Sequence, residues 1–168
     1  CFSNVGDAAF QSCSKFQKIY LTNNCGVGRF AFNGCLNLKF CFGNQEDSIN
    51  KINLQCEVIP DFAFCKCKQI QEVDIPQAKT IGKCAFMECQ NIIEINAPKL
   101  QSACDLALQG CCCLQKLNVP LALDLKMNQE IIFGNSDWEW YYPLISEQQL
   151  QQEKQQQLDK EKLEQIKL

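Results

Sequence analysis

Residues 81–98 read IGKCAFMECQNIIEINAP, and they raise the question of why an Ala-Phe pair should stand just ahead of a cysteine three residues on. The phrase recurs along the chain. Phe10 precedes Cys13, Phe32 precedes Cys35, Phe64 precedes Cys67 and Phe86 precedes Cys89, while a fifth unit has Leu108 ahead of Cys111. The steps between units are 22, 32, 22 and 22 residues. The long step falls on a polar stretch, GNQEDSINK, from Gly43 to Lys51.

The register extends on both sides of the aromatic. Five residues before it stand Val5, Val27, Ile59, Ile81 and Ala103; six after it, Phe16, Leu38, Ile70, Ile92 and Leu114. Nine after it come Ile19, Cys41, Val73, Ile95 and Leu117, and eleven after it Leu21, Gly43, Ile75, Ala97 and Val119. Pro76, Pro98 and Pro120 then close three of the units. One apolar skeleton repeating at a fixed period of about 20–29 residues marks a solenoid of the leucine-rich kind. In it, Val73 and Ile75 alternate as the inward residues of a short strand. The following proline has no N–H to offer a ladder and ends the pairing. The IGKCAF half is expected to return over the convex side through a short helix or 3₁₀ turn. A single unit cannot bury its apolar face, but units stacked about 4.8 Å apart bury a continuous core. Phe10, Phe32, Phe64, Phe86 and Leu108 thus form one internal ladder, and Cys13, Cys35, Cys67, Cys89 and Cys111 another.

Cys84-Ala85-Phe86 through Cys89 and Phe62-Ala63-Phe64 through Cys67 fit IGxxAFxxCxxLxxIxLP, which resembles the BspA-type leucine-rich repeat of surface proteins from some bacteria and anaerobic protists. The resemblance covers about residues 1–120. It departs at Leu106-Ala107-Leu108 and in the second unit, whose strand ends irregularly. It implies a right-handed solenoid that binds proteins or mediates adhesion, with no catalytic residues to carry over. The expected fold is therefore an open α/β solenoid of about 22-residue units over residues 1–124. A degenerate terminal unit with an aromatic cap, DWEWYYP, follows over 125–143, and a Gln/Glu/Lys-rich helix over 144–168. Sparse apolar residues in that helix allow only weak self-association.

Composition narrows the function. The chain of 168 residues carries a net charge of −3, so it lacks the basic field that grips nucleic acid. No apolar run reaches the ~18–20 residues of a membrane span. Histidine is absent, which removes Ser-His-Asp and Cys-His nucleophile systems and the common zinc-hydrolase sites. The chain opens on Cys1, with no initiator Met and no signal-like segment, and reads as a piece of something longer.

Cysteine, by contrast, occurs 14 times. The ladder thiols read as small buried side chains that donate weakly to a neighbouring turn. The CKC at Cys65–Cys67 and the CCC at Cys111–Cys113 each commit one member to the core. No paired C-x₂₋₄-C elements with free side chains are left for zinc, so neither a metal nor any other cofactor is expected.

The residues between the inward strand positions form the candidate partner-binding face: Lys18, Tyr20, Phe40, Phe42, Glu72, Asp74, Glu94, Asn96, Lys116 and Asn118. Phe40 and Phe42 fit it poorly. A one-residue slip, absorbed by the insertion at Gly43, would turn both inward; without it they form an exposed aromatic patch beside Tyr20. The expected function is non-catalytic recognition of a protein partner, as a surface adhesin or antigen-type fragment by the family resemblance. The alternative is an intracellular scaffold, which reduced thiols and the lack of any N-x-S/T sequon favour. The corresponding locations are the cell surface and the cytoplasm.

Overall fold

The computed structural model describes residues 1–42 and 50–120. Ten strands are found among them: β1 Phe2–Val5, β2 Lys18–Val27, β3 Lys39–Phe42, β4 Lys51–Asn53, β5 Val58–Ile59, β6 Glu72–Asp74, β7 Thr80–Ile81, β8 Glu94–Asn96, β9 Ser102–Ala103 and β10 Lys116–Asn118. They form three sheets, β1-β2-β3, β4-β6-β8-β10 and β5-β7-β9, and every pairing is parallel. Partners lie one period apart, as in Glu72 with Glu94 with Lys116, and Ile59 with Ile81 with Ala103. The chain is a parallel-strand solenoid of about five turns with a leucine-rich-repeat fold.

Two ladders fill it. The rings of Phe10, Phe32, Phe64 and Phe86 stack at 5.5, 5.5 and 5.4 Å, nearly parallel, and the last three are wholly buried. Beside them, each thiol donates to the Phe carbonyl of the preceding coil: Cys35 Sγ to Phe10 O (2.9 Å), Cys67 Sγ to Phe32 O (3.1 Å), Cys89 Sγ to Phe64 O (3.0 Å) and Cys111 Sγ to Phe86 O (3.3 Å). A small side chain with one donor is what such a slot accepts. Fully burying a residue such as Phe contributes about 1.5–3 kcal/mol, so each buried rung of the Phe ladder is a sizeable apolar term along the axis.

The convex side differs from the expected helix. No helix occurs among the described residues, which makes the described solenoid all-β in place of α/β. The hydrogen bonds explain why. Ala85, Met87 and Cys89 N–H donate within the coil to Gly82, Cys84 and Phe86 O, at 3.2, 3.2 and 3.1 Å. The alternate donors, Cys84, Phe86 and Glu88 N–H, reach across to Asp105, Ala107 and Gln109 O of the next coil, at 3.0, 2.9 and 2.7 Å. A helix would spend all of these N–H groups on itself. Here turns alternate with rungs, and two left-handed residues per coil make this possible. They are Ala8 and Ser12, Phe30 and Gly34, Phe62 and Lys66, Cys84 and Glu88, and Leu106 and Gly110. The expected segments 125–143 and 144–168 lie outside the described residues.

Aspartate and glycine lock particular coils together. Asp7 Oδ1 accepts Arg29 N–H at 2.7 Å, and Asp61 Oδ1 accepts Lys83 N–H at 2.9 Å. A Cβ on Gly28 would lie 2.5 Å from Asp7 N and Oδ1; one on Gly82 would lie 2.6 Å from Asp61 N. Where the coil beneath carries a base, the same position holds a side chain: Pro60 above Arg29 and Cys104 above Lys83. The acids and bases alternate up the stack as Asp7, Arg29, Asp61, Lys83 and Asp105, and Arg29 pairs with Asp61 at 3.2 Å.

Candidate functional site

The strand face of the solenoid comprises residues 18–21 of β2 together with β3, β4, β6, β8 and β10. Because the period along a strand is two, inward residues Ile52, Val73 and Ile95 alternate with outward ones that line up across coils. One outward column runs Lys51, Glu72, Glu94, Lys116 in strict register. Glu72 and Glu94 stand side by side, an unfavourable pairing of like charges. Each is matched by the lysine on its other flank: Lys51 Nζ lies 3.3 Å from Glu72, and Lys116 Nζ lies 3.4 Å from Glu94. Pairs this exposed contribute only about 0–1 kcal/mol each, so the column sets a charge pattern more than it stabilises the fold.

The second column runs Asn53, Asp74, Asn96 and Asn118, and its last three members form a hydrogen-bond chain. Asn118 Nδ2 donates to Asn96 Oδ1 and Asn96 Nδ2 to Asp74 Oδ1, both at 2.7 Å. Lys51, Glu72, Asp74, Glu94 and Asn96 border a shallow depression floored by Val73. Towards the N-terminal coils, Lys18 and Lys39 stand in register with each other on the separate sheet of β2 and β3, and Lys18 Nζ sits 4.9 Å over the exposed Tyr20 ring.

Of the residues expected on this face, Glu72, Asp74, Glu94, Asn96, Lys116 and Asn118 fall on the two columns, and Lys18 and Tyr20 alternate with buried Ile19 and Leu21 on β2. Phe40 and Phe42 do not: of the two alternatives given for them the one-residue slip holds, and their place on the face is corrected. β3 pairs Ile19 with Phe40 and Leu21 with Phe42, a spacing of one residue less than the repeat, so both rings turn inward and are buried. Phe40 packs edge-on against Phe32 at 5.1 Å and Phe64 at 5.6 Å. Lys39 takes the outward place.

Lys51 and Asn53 are missing from the expected set because the long step was read as a polar insertion. Its end is strand: β4 pairs with β6, so this face gains a strand that the convex side lacks. The alternation in Lys51-Ile52-Asn53-Leu54, like that in Glu72-Val73-Asp74-Ile75, is the sequence signal for it.

Burial disfavours the thiolate at the core cysteines. Burial pushes the Cys35 and Cys65 thiols up to about 11 and Cys111 up to about 12, and holds Cys67 and Cys89 well above the ordinary range. Cys112 and Cys113 are exposed, so the CCC run divides between core and surface. Among the described residues no group of three His, Cys, Asp or Glu side chains is arranged to hold a metal ion. What the face presents is paired charge, amide groups and one tyrosine on a rigid sheet.

The profile of the BspA type leucine rich repeat region matches in six copies over residues 1–56 and 57–137. No curated protein matches. Among solved structures, a leucine-rich repeat protein from Bacteroides ovatus ATCC 8483 is similar at 21% identity with a TM-score of 0.43; the match covers 68% of this chain and 34% of that one. This chain thus spans about a third of that protein's length. Repeats of this family are typically non-enzymatic, and leucine-rich repeat modules generally bind proteins. No helix among the described residues is long and apolar enough to cross a membrane. With the repeat profile matching most of its length, this chain belongs to the BspA-type leucine-rich repeat family.

Proposed function

We propose that the chain is a non-catalytic protein-recognition module of the adhesin or antigen type, which meets its partner across the strand face. The observation that carries this reading is the pair of outward columns held in register by the stacked core. Side chains ordered by their neighbours before contact lose little freedom on binding, which is how a polar face gains affinity. The face fits a partner surface that places basic groups over Glu72 and Glu94 and hydrogen-bonding groups over Asp74, Asn96 and Asn118.

The test is capture from a cell-surface protein extract by the immobilised chain and by the Glu72→Lys/Glu94→Lys variant. Proteins held by the wild type and lost on charge reversal support the reading. Capture that is unchanged by reversal, but lost on Lys83→Glu over the convex side, overturns it.

A second reading, an intracellular scaffold, draws on the fourteen cysteines, none of which is joined in a disulfide among the described residues. A reducing compartment keeps thiols in that state. Antibody labelling of intact against permeabilised cells separates the two: signal from intact cells supports the surface module, and signal only after permeabilisation supports the scaffold.

A further inference from the structure

The strand face fixes spacing as well as charge. β4, β6, β8 and β10 pair without a break in register, so Lys51, Glu72, Glu94 and Lys116 recur once per strand. Neighbouring strands stand about 4.8 Å apart, which sets these residues at about 0, 4.8, 9.6 and 14.4 Å along the solenoid axis. Their signs run plus, minus, minus, plus. The outer lysines pair with the acids beside them, at 3.3 and 3.4 Å. The two acids also face each other, a cost that the free chain retains.

The column of Asn53, Asp74, Asn96 and Asn118 lies two residues further along each strand, about 6.7 Å away. The furrow between the columns is visible in the depression over Val73. Lys51, Glu72 and Glu94 border it on one side, and Asp74 and Asn96 on the other.

An α-helix rises about 1.5 Å per residue, so its residues i, i+4, i+7 and i+11 form one stripe at about 0, 6.0, 10.5 and 16.5 Å. Centred on the charged column, the inner pair of that stripe falls within about 0.2 Å of the spacing of Glu72 and Glu94, and the outer pair within about 1 Å of Lys51 and Lys116. Side chains as long as arginine and glutamate absorb such a difference. An extended strand laid the same way presents alternate residues about 6.7 Å apart, and misses the outer lysines by about 3 Å. A helix is also about 10–12 Å across with its side chains, enough to span both columns.

We propose that the strand face receives an α-helix of a partner protein, laid along the solenoid axis over the furrow, with acids at i and i+11 and bases at i+4 and i+7. Its bases meet Glu72 and Glu94 and offset their mutual repulsion, and its acids meet Lys51 and Lys116. The stripe beside them carries amide or hydroxyl groups that reach Asp74, Asn96 and Asn118. This inference rests on the strand-face reading given above and adds the form of the partner.

The probe is a fluorescent peptide with glutamate, arginine, arginine and glutamate at those four spacings in an alanine and glutamine background, held helical by a lactam bridge on its opposite face. A second peptide of the same composition and bridge carries the arginines at i+1 and i+8, off the stripe. A third sets the four charged residues on alternate positions of an extended, threonine-rich sequence. Each is titrated with the full chain by fluorescence anisotropy at low ionic strength, because salt screens exposed charges. The first peptide should bind saturably, and the other two at least about tenfold more weakly. The variant Lys51→Glu/Glu72→Lys/Glu94→Lys/Lys116→Glu keeps the pairing scheme with every sign reversed, so its melting temperature should stay near that of the wild type. It should lose the first peptide and bind one with all four charges inverted. No binding of the first peptide, equal binding of the second, or tighter binding of the third overturns the helix. If charge reversal at Glu72 and Glu94 still abolishes capture of surface proteins in that event, the strand-face reading stands and the helix alone is lost. If capture is indifferent to the reversal as well, both fall.

Discussion

The thiol of Cys89 donates to the Phe64 carbonyl at 3.0 Å, and like Cys67 it is sealed from solvent. Labelling of the native chain with a thiol reagent should therefore modify Cys104, Cys112 and Cys113, and spare Cys67 and Cys89 until denaturant is added. Rapid native labelling of those two would remove them from the ladder. The same burial makes stability fall in alkali. Cys35 and Cys65 are raised from 9.0 to about 11 and Cys111 to about 12, chiefly by desolvation. The unfolded chain thus releases protons above pH 9 that the folded chain retains. This contribution is complete below pH 9 and is lost as pH rises through 11 and 12. The denaturation midpoint should be lower at pH 10.5 than at pH 8, and the difference should shrink in Cys111→Ala.

Among the elements, the Phe rungs and the aspartate–glycine joints differ in how their loss would act. Phe86→Ala removes a wholly buried ring between Phe64 and Leu108, and should cost about 3–5 kcal/mol through lost transfer energy and a residual cavity. The same change at Phe10, half-open at the end of the stack, should cost clearly less; equal losses in urea melts would contradict the ladder. Gly82→Ala adds only one methyl group, but places it 2.6 Å from the Asp61 backbone nitrogen. It should destabilise by about 1–3 kcal/mol, the usual range for overpacking. An unchanged melting temperature would show that the coils part without cost.

The strands and inward ladders were legible in the sequence because β periodicity and the 22-residue step act on the same apolar residues, such as Val73 and Ile95. The convex turns were not. Left-handed backbone at Phe62, Lys66, Cys84 and Glu88 is imposed by bonds between coils, and no local residue preference announces it. The strand face was legible as a set of alternate positions wherever the step held. At β3 and β4 the step breaks, and there the sequence left Phe40 and Phe42 between an inward slip and an exposed patch, and Lys51 and Asn53 were overlooked.

At the scale of the whole molecule, a stacked array has stability that is a sum of coil terms and joint terms between neighbours. The joints are of two kinds, because Asp7 and Asp61 demand glycine above them while Arg29 and Lys83 accept Pro60 and Cys104. Although the sequence repeats every coil, the joints repeat every second coil, so the interchangeable part is a pair. Excising residues 82–103 would seat Cys104 directly on Asp61, whose side chain needs the space of a Cβ. In that shortened chain Cys104→Gly should raise the melting temperature. In the intact chain, where Cys104 sits over Lys83, the same substitution should lower it or leave it unchanged, since glycine only adds freedom to the unfolded state. Opposite signs in the two backgrounds would establish parity between coils, and equal signs would refute it. A gene that grows by duplicating this solenoid would then add coils two at a time, or would have to change the residue at the new joint whenever it added one.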